Sequence, residues 1–218
     1  MSHVAEPVKH ARSWTRRKQA RPGEILEAAL SVFAEKGFAA ARMEDIAARA
    51  GVTKGTIYLY FQNKEDVFKS LAREIVGNRL ASATKQMHDY TGPARELLIR
   101  LLQTIDNFLS DRERAMLPKI IIAESGNFPE LARFWRAEVI DKALAMVSGT
   151  IKRGIERGEF RPVDPEYTAK LCVAPIMLGV IWRNTFSAID PVSLDNEKFL
   201  AMHFDILLKG LAPEGKKP

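Results

Sequence analysis

Apolar residues recur every three or four positions along most of the chain, which is the spacing of amphipathic helices. In the segment from Pro22 to Gly37, for example, Ile25, Leu26 and Phe33 follow this spacing. Alternating runs of Val, Ile and Thr are missing, and no Asn-Gly or Asp-Gly pair marks a hairpin. The pattern therefore predicts an all-α fold.

Glycine, proline and capping residues mark where the helices begin and end. Pro22 suits the first turn of the first helix, and Gly37 suits its end. Asn63 is the expected N-cap of a longer helix, with Asp66 placed to complete the cap. The predicted helices span about residues 22–36, 43–49, 54–60, 64–86, 94–110, 113–124, 129–157, 165–187 and 194–211.

Positive charge is concentrated at the N-terminal end of the chain. Residues 1–64 hold eleven Lys and Arg against six Asp and Glu, which gives +5 of the formal net charge of +6. A basic end on a near-neutral body indicates an anionic partner, although a solvated tail is the alternative for residues 1–21. We divide the chain into a basic, flexible arm (1–21), a small helical domain (22–66) and a larger helical domain (67–218), joined by the helix from residue 64.

The segment from Met43 to Phe61 has the pattern of a helix-turn-helix, with two short helices joined by a tight turn. Ala47 is small where the two helices would cross, and Gly51 can adopt the positive φ of the turn. Ile57 can hold the second helix against the first. A generic helical hairpin would also use such residues, but the neighbouring positive charge favours nucleic acid.

The second of these helices can enter a major groove, which is about 12 Å wide. Its side chains offer hydrogen-bond donors for base edges or phosphates, because several of them are expected on the outer side. Tyr60 and Lys64 follow where the chain would leave the groove, so we expect them to contact phosphate. The residues expected on or near the outer side are Lys54, Thr56, Tyr58 and Leu59.

Several motifs in this region recur together in one known family. They are Gly37-Phe38, Asp45-Ile46-Ala47, the run from Ala50 to Tyr58, Tyr60-Phe61 and Lys64-Glu65. With these motifs the chain resembles the TetR family of bacterial transcriptional regulators over about residues 22–70. The resemblance implies a three-helix DNA-binding domain joined by a long helix to a larger helical ligand-binding and dimerisation domain. By motif position, it implies that the DNA-facing residues are Thr53, Lys54, Gly55, Thr56, Tyr58, Tyr60 and Lys64.

The sequence departs from the family at the start of the second helix, where Thr or Ser is usual and Ala41-Arg42 stands here. Loss of the side-chain cap costs about 0.5–2 kcal/mol of stability unless another group replaces it. We expect Arg42 to make the phosphate contact instead.

The resemblance implies a sequence-specific DNA-binding regulator, a repressor that a small apolar or amphipathic ligand releases from its operator. A dimeric helix-turn-helix protein without an effector is the alternative. The segment from Ile121 to Phe134, with Gly158-Glu159-Phe160 and Asp164-Pro165, is similar to the AefR- or AcrR-like subgroup. The expected partners are a palindromic double-stranded DNA operator, a second copy of the chain and a small-molecule effector.

The larger domain is expected to hold both the effector pocket and the dimer surface. Aromatic and methionine side chains suit an adaptable apolar cavity, although core packing is the alternative for each of them. The candidate pocket residues are Phe108, Met116, Ile120, Phe128, Phe134, Trp135, Met177 and Trp182. The last two helices are expected to pair with their copies in a four-helix bundle. The apolar stripes offered for it, which could instead serve the monomer's core, are Ala169, Val173, Ile176, Val180, Phe199, Met202, Ile206 and Leu207.

Catalytic and metal-binding signatures are missing from the sequence. It contains no GxGxxG, P-loop, HExxH or GxSxG motif, so we expect no enzyme activity, cofactor or metal. Cys172 is the only cysteine, which excludes an internal disulfide and a CxxC site. The longest apolar run, 171–182, is shorter than the roughly 20 residues that span a bilayer. We therefore expect a cytoplasmic protein with no membrane partner.

Overall fold

The computed structural model describes residues 10–111, 113–191, 194–213 and 215, with side chains from Pro22 onward. Every regular element within these ranges is helical, so the all-α prediction is confirmed. The helices are α1 (His10–Ala40), α2 (Met43–Arg49), α3 (Lys54–Tyr58), α4 (Lys64–Ala72), α5 (Asn78–Asp89), α6 (Ala94–Ser110), α7 (Met116–Glu124), α8 (Pro129–Trp135), α9 (Asp141–Glu156), α10 (Pro165–Thr185) and α11 (Asn196–Leu211). The segments Arg73–Gly77 and Arg136–Ile140 are π-helical.

The first helix begins earlier than the sequence pattern predicts. It starts at His10 rather than at Pro22, so Pro22 lies inside the helix and residues 10–21 are helical in their backbone. This segment is rich in Ala, Arg, Lys and Gln, which favour helices. Residues 1–9 of the expected flexible arm lie outside the described residues. The helical backbone breaks at Gly37, whose φ of 74° is the positive value that glycine tolerates.

The chain forms two compact units that meet in sequence between Leu71 and Ala72. The expected boundary lay between residues 66 and 67. The later boundary has a packing reason, because Val67, Phe68 and Leu71 of α4 are all buried. We refer to residues up to Leu71 as the N-terminal unit and to the remainder as the C-terminal unit.

The core of the N-terminal unit centres on three aromatic rings from α1 and α4. The rings of Phe33 and Phe38 lie 5.2 Å apart, and those of Phe38 and Phe68 lie 5.8 Å apart. Ile46 of α2 and Ile57 of α3 are also fully buried. Each such side chain contributes about 1.5–3 kcal/mol on burial, so this core holds α2 and α3 in place.

The core of the C-terminal unit lies mainly between α6, α9 and α10. Leu98, Leu102, Ile151 and Ile176 are among its fully buried aliphatic residues. At the start of α6 the carboxylate of Glu159 accepts a hydrogen bond of 2.6 Å from the backbone N–H of Ala94. That contact satisfies a backbone group that would otherwise lack a partner at the helix end.

A buried carboxylate ties three helices of this unit together. Asp106 of α6 accepts hydrogen bonds of 3.3 and 3.4 Å from the side-chain amide of Asn196 on α11. The Arg183 guanidinium of α10 lies 3.8 Å from the same carboxylate. Because a buried charge is costly without partners, these contacts stabilise the arrangement of α6, α10 and α11. In the described part of the chain, no helix has both the length and the apolar character needed to cross a membrane.

Candidate functional site

The start of α2 lacks a side-chain cap, as the sequence predicts. Arg42 has an extended backbone there, and its side chain makes no capping hydrogen bond. Asp45 replaces part of the cap, because its carboxylate accepts a bond of 3.1 Å from the Arg42 backbone N–H. The same carboxylate pairs with the Lys36 ammonium at 2.7 Å, which lowers the pKa of Asp45. The Arg42 side chain is exposed and is not used in capping the helix.

The turn between α2 and α3 has the geometry that the helix-turn-helix pattern predicts. Gly51 has a φ of 65°, and the N–H of Val52 donates to the Ala47 carbonyl at 2.9 Å. Thr53 caps α3, because its hydroxyl accepts a bond of 3.2 Å from the backbone N–H of Thr56. With Ile57 fully buried beneath it, α3 is held in a single orientation within its unit.

The outer surface of α3 carries both polar and apolar groups. Lys54, Gly55, Tyr58 and Leu59 are exposed, whereas Thr56 and Tyr60 are half-buried. The Lys54 ammonium lies 2.6 Å from a carboxylate oxygen of Glu44 on α2. This contact raises the pKa of Lys54 and lowers the pKa of Glu44. Lys54, the charged residue of α3, is therefore paired with a carboxylate of its own unit.

Lys64 is placed differently from the expected phosphate contact. Its ammonium donates to the carbonyls of Phe38 at 2.9 Å, Ala39 at 2.8 Å and Ala41 at 3.4 Å. It also lies 4.8 Å from the centre of the Phe38 ring. These carbonyls follow the helix break at Gly37 and attract a cation. Lys64 therefore anchors the end of α1, and its contact with phosphate stays a prediction.

The C-terminal unit contains an apolar cavity of about 400 Å³. Of the residues expected in the effector pocket, Phe108, Trp135 and Met177 line this cavity. The described side chains that were expected in the pocket but do not line this cavity are Met116, Ile120, Phe128, Phe134 and Trp182. Ile120 is buried in packing contacts instead. Trp182 lies on the outer side of α10, where its indole N–H donates to Asp190 at 2.6 Å.

Two cations lie among the otherwise uncharged lining of this cavity. They are Arg79 of α5 and Lys170 of α10, and no acidic side chain lines the cavity in the ranges that the structure describes. Neither cation forms an ion pair with another described residue. Arg79 lies 5.4 Å from the centre of the Phe108 ring, and Lys170 lies 4.8 Å from that of Tyr167. The cavity therefore combines an apolar interior with unneutralised positive charge.

A second cavity, of about 480 Å³, lies beside the first. Phe134 lines it, with the Arg73 guanidinium 4.9 Å from the centre of its ring. The ammonium of Lys142 donates to Glu138 at 2.6 Å in the same wall. Both π-helical segments contribute to this wall, and the side chains that line both cavities are Val76, Leu80, Val139 and Met146.

The expected dimer stripe on α10 faces the interior of the unit. Ala169, Ile176 and Val180 are buried, and Val173 lines the apolar cavity. On α11, Phe199 and Leu207 pack against the same core, while Met202 and Ile206 are exposed as expected. The stripe predicted for the dimer thus lies on the inner side of α10, and the interface itself stays a prediction. The large apolar residues that α10 exposes are Tyr167, Leu171, Leu178, Ile181 and Trp182.

The thiol of the single cysteine has low reactivity. Cys172 is fully buried, and that burial raises the pKa of its thiol to about 12. Because the thiolate is the reactive form, this side chain is a packing residue. Among the residues described, no group of three His, Cys, Asp or Glu side chains could hold a metal ion.

Comparisons with known proteins identify both units. Residues 25–71 match the family model for bacterial regulatory proteins of the tetR family, and residues 88–195 match the tetracyclin repressor-like C-terminal domain. The fatty acid metabolism regulator protein of Bacillus subtilis is 30% identical over 146 residues, covering 66% of this chain and 74% of that protein. The transcriptional regulator RutR of Escherichia coli is 26% identical over 94% of this chain and 97% of its own length.

Solved structures support the same assignment. The transcriptional regulator FadR from Bacillus subtilis, determined in complex with stearoyl-CoA, is similar to this chain with a TM-score of 0.73. Its sequence identity is 26%, and the similarity covers 87% of this chain and 98% of that chain. The chain therefore belongs to the tetR family of bacterial regulatory proteins and is a DNA-binding transcriptional regulator.

Proposed function

We propose that the exposed side of α3 binds in the major groove of DNA and that Arg42 contacts the neighbouring phosphate backbone. The observation that carries this proposal is the geometry of α3, which Ile57 fixes from below and Thr53 caps at its start. Thr53, Lys54, Gly55, Thr56, Tyr58 and Tyr60 then present hydrogen-bonding groups and open backbone to the groove. Lys64 contributes indirectly, because its bonds to the carbonyls of Phe38 and Ala39 hold the end of α1 in place within the same unit.

A second copy of the chain would supply a second α3. One such helix reads only a few base pairs, so a two-fold dimer would bind two half-sites about 34 Å apart on a palindromic operator. We propose that α10 and α11 pair with their copies through the exposed Leu171, Leu178, Trp182, Met202 and Ile206. Monomeric proteins rarely leave such apolar patches uncovered.

The effector is proposed to occupy the apolar cavity of the C-terminal unit. A volume of about 400 Å³ suits a small molecule or part of a long chain. Arg79 and Lys170 favour a ligand that carries negative charge next to an apolar body, because they lack acidic partners within the described residues. A ligand of this kind is bound in a similar structure, because Bacillus subtilis FadR was determined in complex with stearoyl-CoA. We therefore propose an anionic amphiphile, such as a long-chain acyl carboxylate or thioester.

The ligand would act as an inducer if it bound the DNA-free state more tightly than the DNA-bound state. A coupling of about 1–3 kcal/mol would change operator affinity roughly 5–150-fold. The chain would then be a repressor released by its ligand, acting in the cytoplasm where chromosomal DNA lies. A regulator without an effector would show no such change.

The test is a titration of the full chain with its operator, selected from a random duplex pool, at fixed salt. We expect nanomolar-range binding that weakens when laurate or stearoyl-CoA is added. Binding without any ligand effect would favour the dimer without an effector, and no selective binding would contradict the proposal for α3.

A further inference from the structure

The residue that follows α3, Leu59, presents a large exposed apolar side chain. Ile57 and Phe61 are buried and lie four positions apart, so they mark the inner side of this segment. Since a helix turns once every 3.6 residues, Gly55 and Leu59 fall on the opposite side. Leu59 is 81% exposed there, and its packing contributes little to the unit.

Gly55 leaves open space beside this leucine. Its φ is not positive, and a Cβ added there would meet nothing closer than the Thr53 hydroxyl at 3.9 Å. Neither backbone conformation nor packing within the unit therefore requires glycine, which costs about 1 kcal/mol relative to alanine in a helix. A glycine of this kind suits the close approach of an external partner.

Three of the neighbouring polar side chains already have partners within the N-terminal unit. Lys54 is paired with Glu44 at 2.6 Å. The hydroxyls of Thr53 and Thr56 lie 2.9 Å apart and share a hydrogen bond. Beside these polar groups, Leu59 adds an exposed apolar surface to this side of the helix.

We propose that Leu59 is a specificity-determining residue that contacts the C5-methyl group of a thymine in each operator half-site. The thymine methyl is the one apolar group that a base edge presents in the major groove, so it is the natural partner for an aliphatic side chain. This inference rests on the proposed binding of α3 to DNA. It further specifies that thymine is the base recognised and that Leu59 makes the contact.

The experiment replaces each operator thymine in turn by deoxyuridine, which lacks only the methyl group. The duplex is the one selected from a random pool by the full wild-type chain. At one thymine per half-site, we expect wild type to lose about fourfold in affinity, the value of one buried methyl-sized group. Leu59→Ala should bind the thymine duplex more weakly and show no change with deoxyuridine at that position.

Two further variants distinguish the outcomes. Leu59→Met keeps the apolar volume and should retain the methyl dependence, whereas Ile189→Ala removes an equally exposed aliphatic side chain far along the sequence and should change nothing. Wild-type affinity that is indifferent to every replacement would overturn the assignment of Leu59, as would a methyl dependence that persists in Leu59→Ala. Failure of wild type to select any duplex would instead overturn the proposed function.

Discussion

The Lys54 ammonium lies 2.6 Å from a carboxylate oxygen of Glu44, so a cation of α3 is neutralised by the preceding helix. On DNA the phosphates would compete with Glu44 for this cation. The ion pair is exposed, and its contribution to stability is therefore small. Its larger effect is on DNA affinity, because Glu44 also places a negative charge beside the proposed interface.

We predict that Glu44→Gln raises the affinity for DNA of any sequence. The released Lys54 would neutralise one additional phosphate. The slope of log K against log salt should then steepen by about 0.9 for each Lys54 that binds. Fluorescence anisotropy over a salt series measures this slope. Glu27→Gln is the matched control, because it removes the same charge from an exposed position on α1. Equal effects of the two variants would show that only net charge matters.

Arg42 and Lys64 should respond differently to substitution, although both were expected at phosphates. Arg42→Ala should leave thermal stability unchanged and flatten the salt slope, because this exposed side chain makes no capping bond. Lys64→Ala should lower the free energy of unfolding by about 1–3 kcal/mol, because three carbonyls would lose a charged donor. Thermal unfolding and anisotropy together separate the two roles. A stable Lys64→Ala protein with a flattened slope would restore the phosphate assignment.

Leu171→Glu should convert the proposed dimer into a monomer. Leu171 is 69% exposed on α10, so a carboxylate there is harmless to the isolated chain but would be buried without a partner in the proposed interface. Sedimentation equilibrium measures the association. Ile176→Ala on the inner side should instead reduce stability by about 2–5 kcal/mol and leave dimerisation intact. A Leu171→Glu protein that remains dimeric would place the interface elsewhere.

Arg79→Gln and Lys170→Gln should weaken binding of laurate more than binding of dodecanol, which has the same chain length but no charge. Loss of a charge-assisted contact predicts at least about a tenfold loss for the carboxylate. Isothermal titration gives both affinities, and Lys152→Gln on the exposed side of α9 is the control. Parallel losses for the two ligands would indicate that the cations only shape the cavity.

Local features of the helix-turn-helix were predictable because each depends on a few adjacent residues. The bounds of α2, the positive φ of Gly51, the Thr53 cap and the burial of Ile57 follow from turn chemistry and helical periodicity. The bonds that Lys64 makes within the N-terminal unit were not predictable, because its carbonyl partners, such as that of Ala39, lie 25 positions away in the sequence. Periodicity does not reveal such long-range contacts.

The C-terminal unit differs from the sequence-based expectations for another reason. Helix α10 is apolar on opposite sides, with Ile176 facing inward and Leu171 outward, so its sequence gives two equivalent stripes. Only the packing of neighbouring helices determines which stripe is covered. The residues that line the cavity were equally hard to identify from the sequence. Trp135 and Trp182 both occur among apolar helical positions, but of these two only Trp135 lines the cavity. The π-helical segments have no recognisable sequence signal.

The proposed role of α3 is to recognise a specific DNA sequence. The most direct measurement is a competition titration of the full chain against the duplex it selects and a scrambled duplex of the same composition, at one stated salt concentration. If α3 recognises sequence, the selected duplex should bind at least about a thousandfold more tightly than the scrambled one. Equal affinity for the two duplexes would contradict it.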